Sequence, residues 1–151
     1  NQDLQSLERG DVVAFSGISD ANREGQPIIQ VAKVTETTAS AVAGVVYSGF
    51  PRELLDASPE GIANADLIGF DRNAPAASGD YILLVVYGPA LVKNASAGTT
   101  IQPGDLLMVG TDGLGSLSVT DETTTHGTVI GKALETAKPD TPLIYVFVTL
   151  Q

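Results

Sequence analysis

Cysteine is absent from all 151 residues, which excludes disulfides, thiolate metal sites and cysteine nucleophiles. Tryptophan is absent too, and Tyr and Phe number four each, few for the aromatic platforms on which carbohydrate enzymes bind sugars. Basic residues are scarce: eight Lys and Arg stand against eighteen Asp and Glu, giving a net charge of −10. Nucleic acid and anionic membrane surfaces are disfavoured as partners, because both are bound through Lys and Arg. No apolar run approaches the ~18 residues that span a bilayer, so no membrane insertion is expected.

The chemistry-bearing residues are equally sparse. The single histidine, His126, sits in Thr124-Thr125-His126-Gly127, which reads as a turn. A Ser-His-acid triad would need it, and no motif points a serine at it. There is no Gly-x-Ser-x-Gly elbow, no His-Glu-x-x-His pair and no phosphate loop. Gly110 to Gly115 is glycine-rich but leads into a strand pattern, so it reads as a hairpin loop turning at Asp112-Gly113. The acids are scattered: Asp20, Glu24, Asp56, Asp66, Asp71, Asp80, Asp112 and Asp121-Glu122. None builds an Asp-x-Asp-x-Asp calcium loop. Asp66 with Asp71, or Asp112 with Asp121, are the pairs able to meet in space and hold calcium at a subunit contact. The expectation is therefore a non-enzymatic chain with no catalytic, cofactor-binding or metal-ligating residues and no cofactor.

What is present is a repeat. Arg9-Gly10-Asp11-Val12-Val13 returns as Pro103-Gly104-Asp105-Leu106-Leu107. Val34-Thr35-Glu36-Thr37-Thr38, then Val42-Ala43-Gly44, returns as Val119-Thr120-Asp121-Glu122-Thr123, then Val129-Ile130-Gly131. Each copy reads as a Gly-Asp turn, an apolar strand, a Thr-rich segment and an apolar strand ending at glycine. The repeat gives Arg9-Gly10-Asp11 a plain meaning: glycine supplies positive φ and aspartate caps the turn. An integrin-type adhesion tripeptide is not needed, since the second copy lacks the arginine. Asn94-Ala95-Ser96 is a glycosylation triplet, meaningful only in a glycosylating cell.

Val, Ile, Leu, Ala and Thr dominate, and sixteen Gly and eight Pro punctuate the chain. Many short strands joined by tight turns follow. The expected fold is all-β, a compact barrel or β-sandwich of two related halves, with an irregular excursion around residues 50–80. Residues 1–9 read as an N-terminal segment or linker and 10–151 as a single β domain. Strands are expected near Val12–Phe15, Pro27–Thr35, Ala41–Tyr47, Leu106–Val109, Leu117–Thr120, Thr128–Leu134 and Leu143–Leu150. Tyr81 to Val92 reads as two strands broken at Gly88-Pro89, or as one sharply kinked strand. A short helix is expected to start at Pro51. The last strand is apolar on both faces, so both are expected to be covered, one by another subunit.

The run Gly10-Asp11-Val12-Val13, Tyr87-Gly88-Pro89-Ala90-Leu91-Val92, Ile101-Gln102-Pro103-Gly104-Asp105-Leu106-Leu107, Val129-Ile130-Gly131-Lys132-Ala133-Leu134-Glu135 and the closing Ile144–Gln151 resembles a β-rich C-terminal domain. That domain occurs in phage tail-fibre-like proteins and large uncharacterised bacterial surface proteins. The resemblance runs from about Leu7 onward and finds no counterpart for Phe50 to Gly79. It implies a structural subunit or terminal domain of an extracellular fibre, filament or phage-tail-like appendage, on a cell surface or virion. The implied partner is the chain itself, as a homo-oligomer, trimer or filament. The alternatives are a tip domain binding a cell-surface glycan or receptor through residues 50–80, and an autoproteolytic or chaperone domain. The start at Asn1 reads as a processed terminus or a piece of a longer protein.

Overall fold

The computed structural model describes residues 6–19, 27–35, 37–51, 71, 73–95, 98–110, 117–119 and 128–150. Nine strands follow in chain order among them. They are β1 (Val12–Ser19), β2 (Ile28–Lys33), β3 (Val42–Phe50), β4 (Tyr81–Val85), β5 (Tyr87–Lys93), β6 (Leu106–Val109), β7 (Leu117–Val119), β8 (Val129–Ala133) and β9 (Leu143–Thr149). All strand pairs are antiparallel, in two sheets ordered β2-β1-β3-β4 and β5-β9-β8-β6-β7. The sheets do not close on each other, so the barrel alternative is set aside. Too few strands carry both sets of ladder bonds that closure requires.

The two halves are the same structure built twice. β1, β2, β3 and β4 take the places of β6, β7, β8 and β9 in the sheet order. Val12 faces Val45 and Val13 faces Gly44, just as Leu106 faces Lys132 and Leu107 faces Gly131. Both ladders then bulge at the same place, between Val13 and Ala14 and between Leu107 and Met108. One correction to the repeat follows from register. Val13 pairs with Lys33 while Leu107 pairs with Val119, so the counterpart of Val119 is Lys33, one residue before Val34. Thr-rich similarity pulled the alignment one place along a segment where hydrogen bonding, not composition, sets the register.

The repeat also reaches into the segment expected to be irregular. Leu7 exchanges both backbone hydrogen bonds with Ala76, as Ile101 does with Ala137. Each of these four residues enters a tight turn. Those after Leu7 and Ile101 lead into β1 and β6; those after Ala76 and Ala137 lead into β4 and β9. In the turn at Ala77–Asp80 the Asp80 carboxylate accepts the Ala77 N–H at 2.9 Å. At Lys138–Thr141 the Thr141 hydroxyl accepts the Lys138 N–H at 3.2 Å. Gly79-Asp80 is thus a third Gly-Asp turn, and residues 76–80 belong to the scaffold.

The break between β4 and β5 falls at Val86, not at Gly88-Pro89. Pro89 lies within β5, an edge strand whose outer side needs no N–H donor. Phe50 ends β3; the helix expected beyond Pro51 lies outside the described residues, as does the turn at Asp112-Gly113.

One large core joins the sheets. Val12, Ala14 and Val45 of the first meet Leu107, Val109, Ile130, Ile144, Val146 and Val148 of the second. Each fully buried Ile or Leu contributes about 1.5–3 kcal/mol of transfer free energy. A smaller cluster of Val13, Ala43 and Val46, with Leu7, Val31, Ile82 and Leu84 against it, lies on the opposite face of the first sheet. The equivalences above reveal how the halves stack. Val13, Ala43 and Val46 correspond to Leu107, Ile130 and Ala133, which face the shared core. The first sheet therefore turns toward the second the face that the second turns outward. Repeats stacked in the same sense, rather than mirrored, leave one such face without an internal partner.

Candidate functional site

Two features stand out: a buried ionic cluster at the first Gly-Asp turn, and the outward face of the second sheet. At the turn, Gly10 takes φ 91° and Gly104 takes φ 90° in its counterpart. The Asp11 carboxylate accepts the Glu8 N–H at 2.8 Å, and the Asp105 carboxylate accepts the Gln102 N–H at 2.8 Å. The backbone continues alike: Gly10 and Gly104 donate to Val46 and Ala133, whose N–H groups donate back to Asp11 and Asp105. Turn chemistry thus explains both Gly-Asp pairs, as the repeat implied.

Asp11 does more. Its side chain is fully buried, and its Oδ1 lies 2.7 Å from the Lys93 ammonium at the end of β5. Its Oδ2 lies 3.5 Å from the Lys33 ammonium at the end of β2. Lys93 also donates to the Glu8 carboxylate at 2.8 Å. Its contact with Asp11 is equally short, so one ammonium group bridges both carboxylates. A buried carboxylate without cations would be prohibitively costly, which is why two ammonium groups meet it here. The Lys93 hydrogen bond and charge hold Glu8 below the ordinary carboxylate range. Burial pulls Lys93 down, but Asp11 and Glu8 outweigh it and leave the ammonium raised. Both shifts favour the charged forms. The cluster ties β1 and β2 of the first sheet to β5 of the second.

Arg9, the remaining residue of the tripeptide, places its guanidinium 5.0 Å from the centre of the Tyr47 ring. With Asp11 enclosed, the tripeptide presents no free carboxylate. The Asn94 side-chain amide donates to the carbonyls of Thr141 at 2.9 Å and Lys138 at 3.3 Å, tying β5 to the turn before β9. Asp71 is exposed and accepts the Asn73 N–H at 2.9 Å, and Asp80 caps its own turn. Asp20, Glu24, Asp56, Asp66, Asp112, Asp121, Glu122 and His126 lie outside the described residues. Neither proposed acid pair can therefore be drawn. Among the described residues no three His, Cys, Asp or Glu side chains gather as metal ligands.

The outward face of the second sheet is the larger feature. In β9, Ile144, Val146 and Val148 point into the core, while Tyr145 is 48% exposed and Leu143 and Phe147 are partly so. The last strand is thus covered on one face only among the described residues. Pro89 faces Phe147, Phe147 faces Lys132, and Lys132 faces Leu106, a row across four strands. Leu91 faces Tyr145 in the adjoining row. Tyr87, 73% exposed, packs edge-on against Phe147 with ring centres 5.3 Å apart. Leu106 is 43% exposed. Lys33, Lys93 and this patch were not singled out by sequence reasoning. Only the period-two apolar pattern of β9 signalled any of them.

No family model, no curated protein and no solved structure matches the chain.

Proposed function

We propose that the chain is a non-enzymatic structural domain, a β-sandwich that assembles with copies of itself into an extracellular fibre, filament or phage-tail-like appendage. One observation carries the self-assembly: the apolar patch of Pro89, Phe147, Tyr87, Leu91 and Tyr145 on the outward face of the second sheet, which exposed Lys132 separates from Leu106 in the same row. Contiguous exposed apolar patches on a soluble domain mark interaction surfaces. The first half supports the reading. There the matching face, with Val12, Val45 and Val85, is covered by another sheet. The open face is a surface of the kind that this fold already uses to pack one half on the next. The ionic cluster suits a scaffold, since it links the two sheets and favours the charged forms of Glu8 and Lys93.

Electron microscopy and light scattering on the purified chain test the proposal. Assemblies larger than one chain are expected at tens of micromolar, roughly where weak interfaces show. Tyr145→Lys, placing a charge at an exposed position within the patch, is expected to shrink them. A clean monomer across that range would overturn the proposal.

A further inference from the structure

A second candidate contact surface is the outer edge of β4, which no other described strand pairs. In the second sheet the strand equivalent to β4 is β9, and its outer edge is paired along seven residues by β5, antiparallel, from Tyr87–Thr149 to Lys93–Leu143. Among the described residues the first sheet ends at β4. No backbone hydrogen bond is made on the outer side of Tyr81–Val85 among the described residues. A row of unpaired N–H and C=O groups invites another strand, and soluble proteins blunt such rows with charge, proline or cover.

The four sheet edges differ in this respect. β5 carries Pro89 and Lys93. β7 is three residues long, and Ala95 donates to Leu117 along it. β2 carries Gln30 and Lys33. β4 is Tyr-Ile-Leu-Leu-Val, with no charge, no proline and no glycine. Leu83, at its centre, is 48% exposed. In a chain of net charge −10, two copies meet with least repulsion along an edge without charges. The chain continues from β4 through exposed Val86 to exposed Tyr87, which belongs to the outward patch of the second sheet.

From these observations we infer that β4 pairs antiparallel with β4 of a second copy about a twofold axis near Leu83, supplying to each first sheet the fifth strand that β5 supplies to the second. This rests on the self-assembling reading above and adds a separate contact to it. A twofold edge contact and a face contact on the same chain together build assemblies larger than a dimer: a filament where their axes do not close, a closed dihedral assembly where they do.

Sedimentation of the full chain and three variants separates the two contacts. Leu83→Lys adds a charge at an exposed edge position, and circular dichroism checks that the strands remain. The chain itself is expected to form large assemblies. Leu83→Lys and Tyr145→Lys should each reduce them to dimers, through the face and the edge respectively, and the double variant should be monomeric. In the Tyr145→Lys dimer, the amides of Tyr81–Val85 should exchange with solvent at least about tenfold more slowly than in the double variant. That exchange comparison can also be made by dilution of the Tyr145→Lys dimer if Leu83→Lys does not fold. Assemblies untouched by Leu83→Lys, a monomeric Tyr145→Lys chain, or unprotected β4 amides in its dimer would overturn the edge contact while leaving the face contact standing. A chain monomeric throughout would overturn both.

Discussion

Asp11 and Asp105 close the same turn and meet different surroundings. Both accept the N–H three residues back at 2.8 Å, and both follow a glycine at φ near 90°. Yet Asp11 is fully buried between Lys33 and Lys93, while Asp105 is only half-buried and carries no ion pair among the described residues. The partners explain it. The counterpart of Lys33 in the second half is Val119, which packs against the core, and β5 delivers Lys93 to the first turn alone. The local hydrogen bond belongs to the tetrapeptide; the ionic cluster belongs to the tertiary structure. A duplicated motif can therefore keep one role in both copies and take on a second in one.

The largest expected effect tests how tightly the duplicated glycines bind each half. A Cβ at Gly131 would strike the Phe147 carbonyl, and one at Gly44 would lie 2.9 Å from the Val85 carbonyl. Those carbonyls are counterparts, so both glycines exist to let the neighbouring strand approach. Backbone cannot swing aside as a side chain can. Gly131→Val is expected to cost about 3 kcal/mol or more and Gly44→Val about 1–3 kcal/mol, measured by urea unfolding. Equal and negligible losses would show that the close approach is not shared.

The aspartates come next. Asp11→Ala strips a buried carboxylate from two ammonium groups and removes the turn bond. Breaking a fully buried pair costs about 3–5 kcal/mol, but Lys33 and Lys93 are partly exposed and can turn to water, so about 2–3 kcal/mol is expected. Asp105→Ala removes one turn bond and should cost about 1 kcal/mol. If the two variants melt alike, the cluster adds nothing beyond turn capping.

The contrast also marks what can be read from residues alone. Gly-Asp ahead of an apolar run is a local pattern, and it located β1 and β6 together with the two-half architecture. Alternation located β9 and divided its residues between two faces, but both faces were apolar and the pattern did not say which one turns inward. Lys33 and Lys93, sixty positions apart, show no pattern of their own, since nothing in either neighbourhood encodes that β2 and β5 end at the same aspartate. The slip from Lys33 to Val34 has a similar origin. Val34 resembles Val119 as a residue, whereas pairing across β1 decides the equivalence. Gly79-Asp80 was legible in principle, because the dipeptide precedes the strongest apolar run in the chain. The scattered Pro, Asn and Gly before it hid the match. The face stacking required registers of both sheets together and could not have come from one strand.

The smallest effect concerns charge at the first turn, and one substitution turns it into the second. Glu8 occupies the place of Gln102, so Glu8→Gln gives the first turn the neutral residue that its counterpart already has. The Lys93 hydrogen bond and charge hold Glu8 below its ordinary value of 4.5, so its contribution is present above that pH and is lost as the pH falls through the lowered value. Lys93 is held above its ordinary value of 10.5, burial opposing and the two carboxylates prevailing. Its contribution is present below that pH and is lost as the pH rises through the raised value. The melting temperature of the chain should therefore exceed that of Glu8→Gln by a small, constant margin between those limits. Below pH 4.5 the margin should close, because protonation makes Glu8 as neutral as glutamine. Other carboxylates titrate in the same range, but they do so in both proteins and cancel in the difference. Glu8 is half exposed, so salt should narrow the margin as well. A margin that persists unchanged into acid would mean that Glu8 acts through its shape or neutral hydrogen bonding, and that the two turns differ by burial of Asp11 alone.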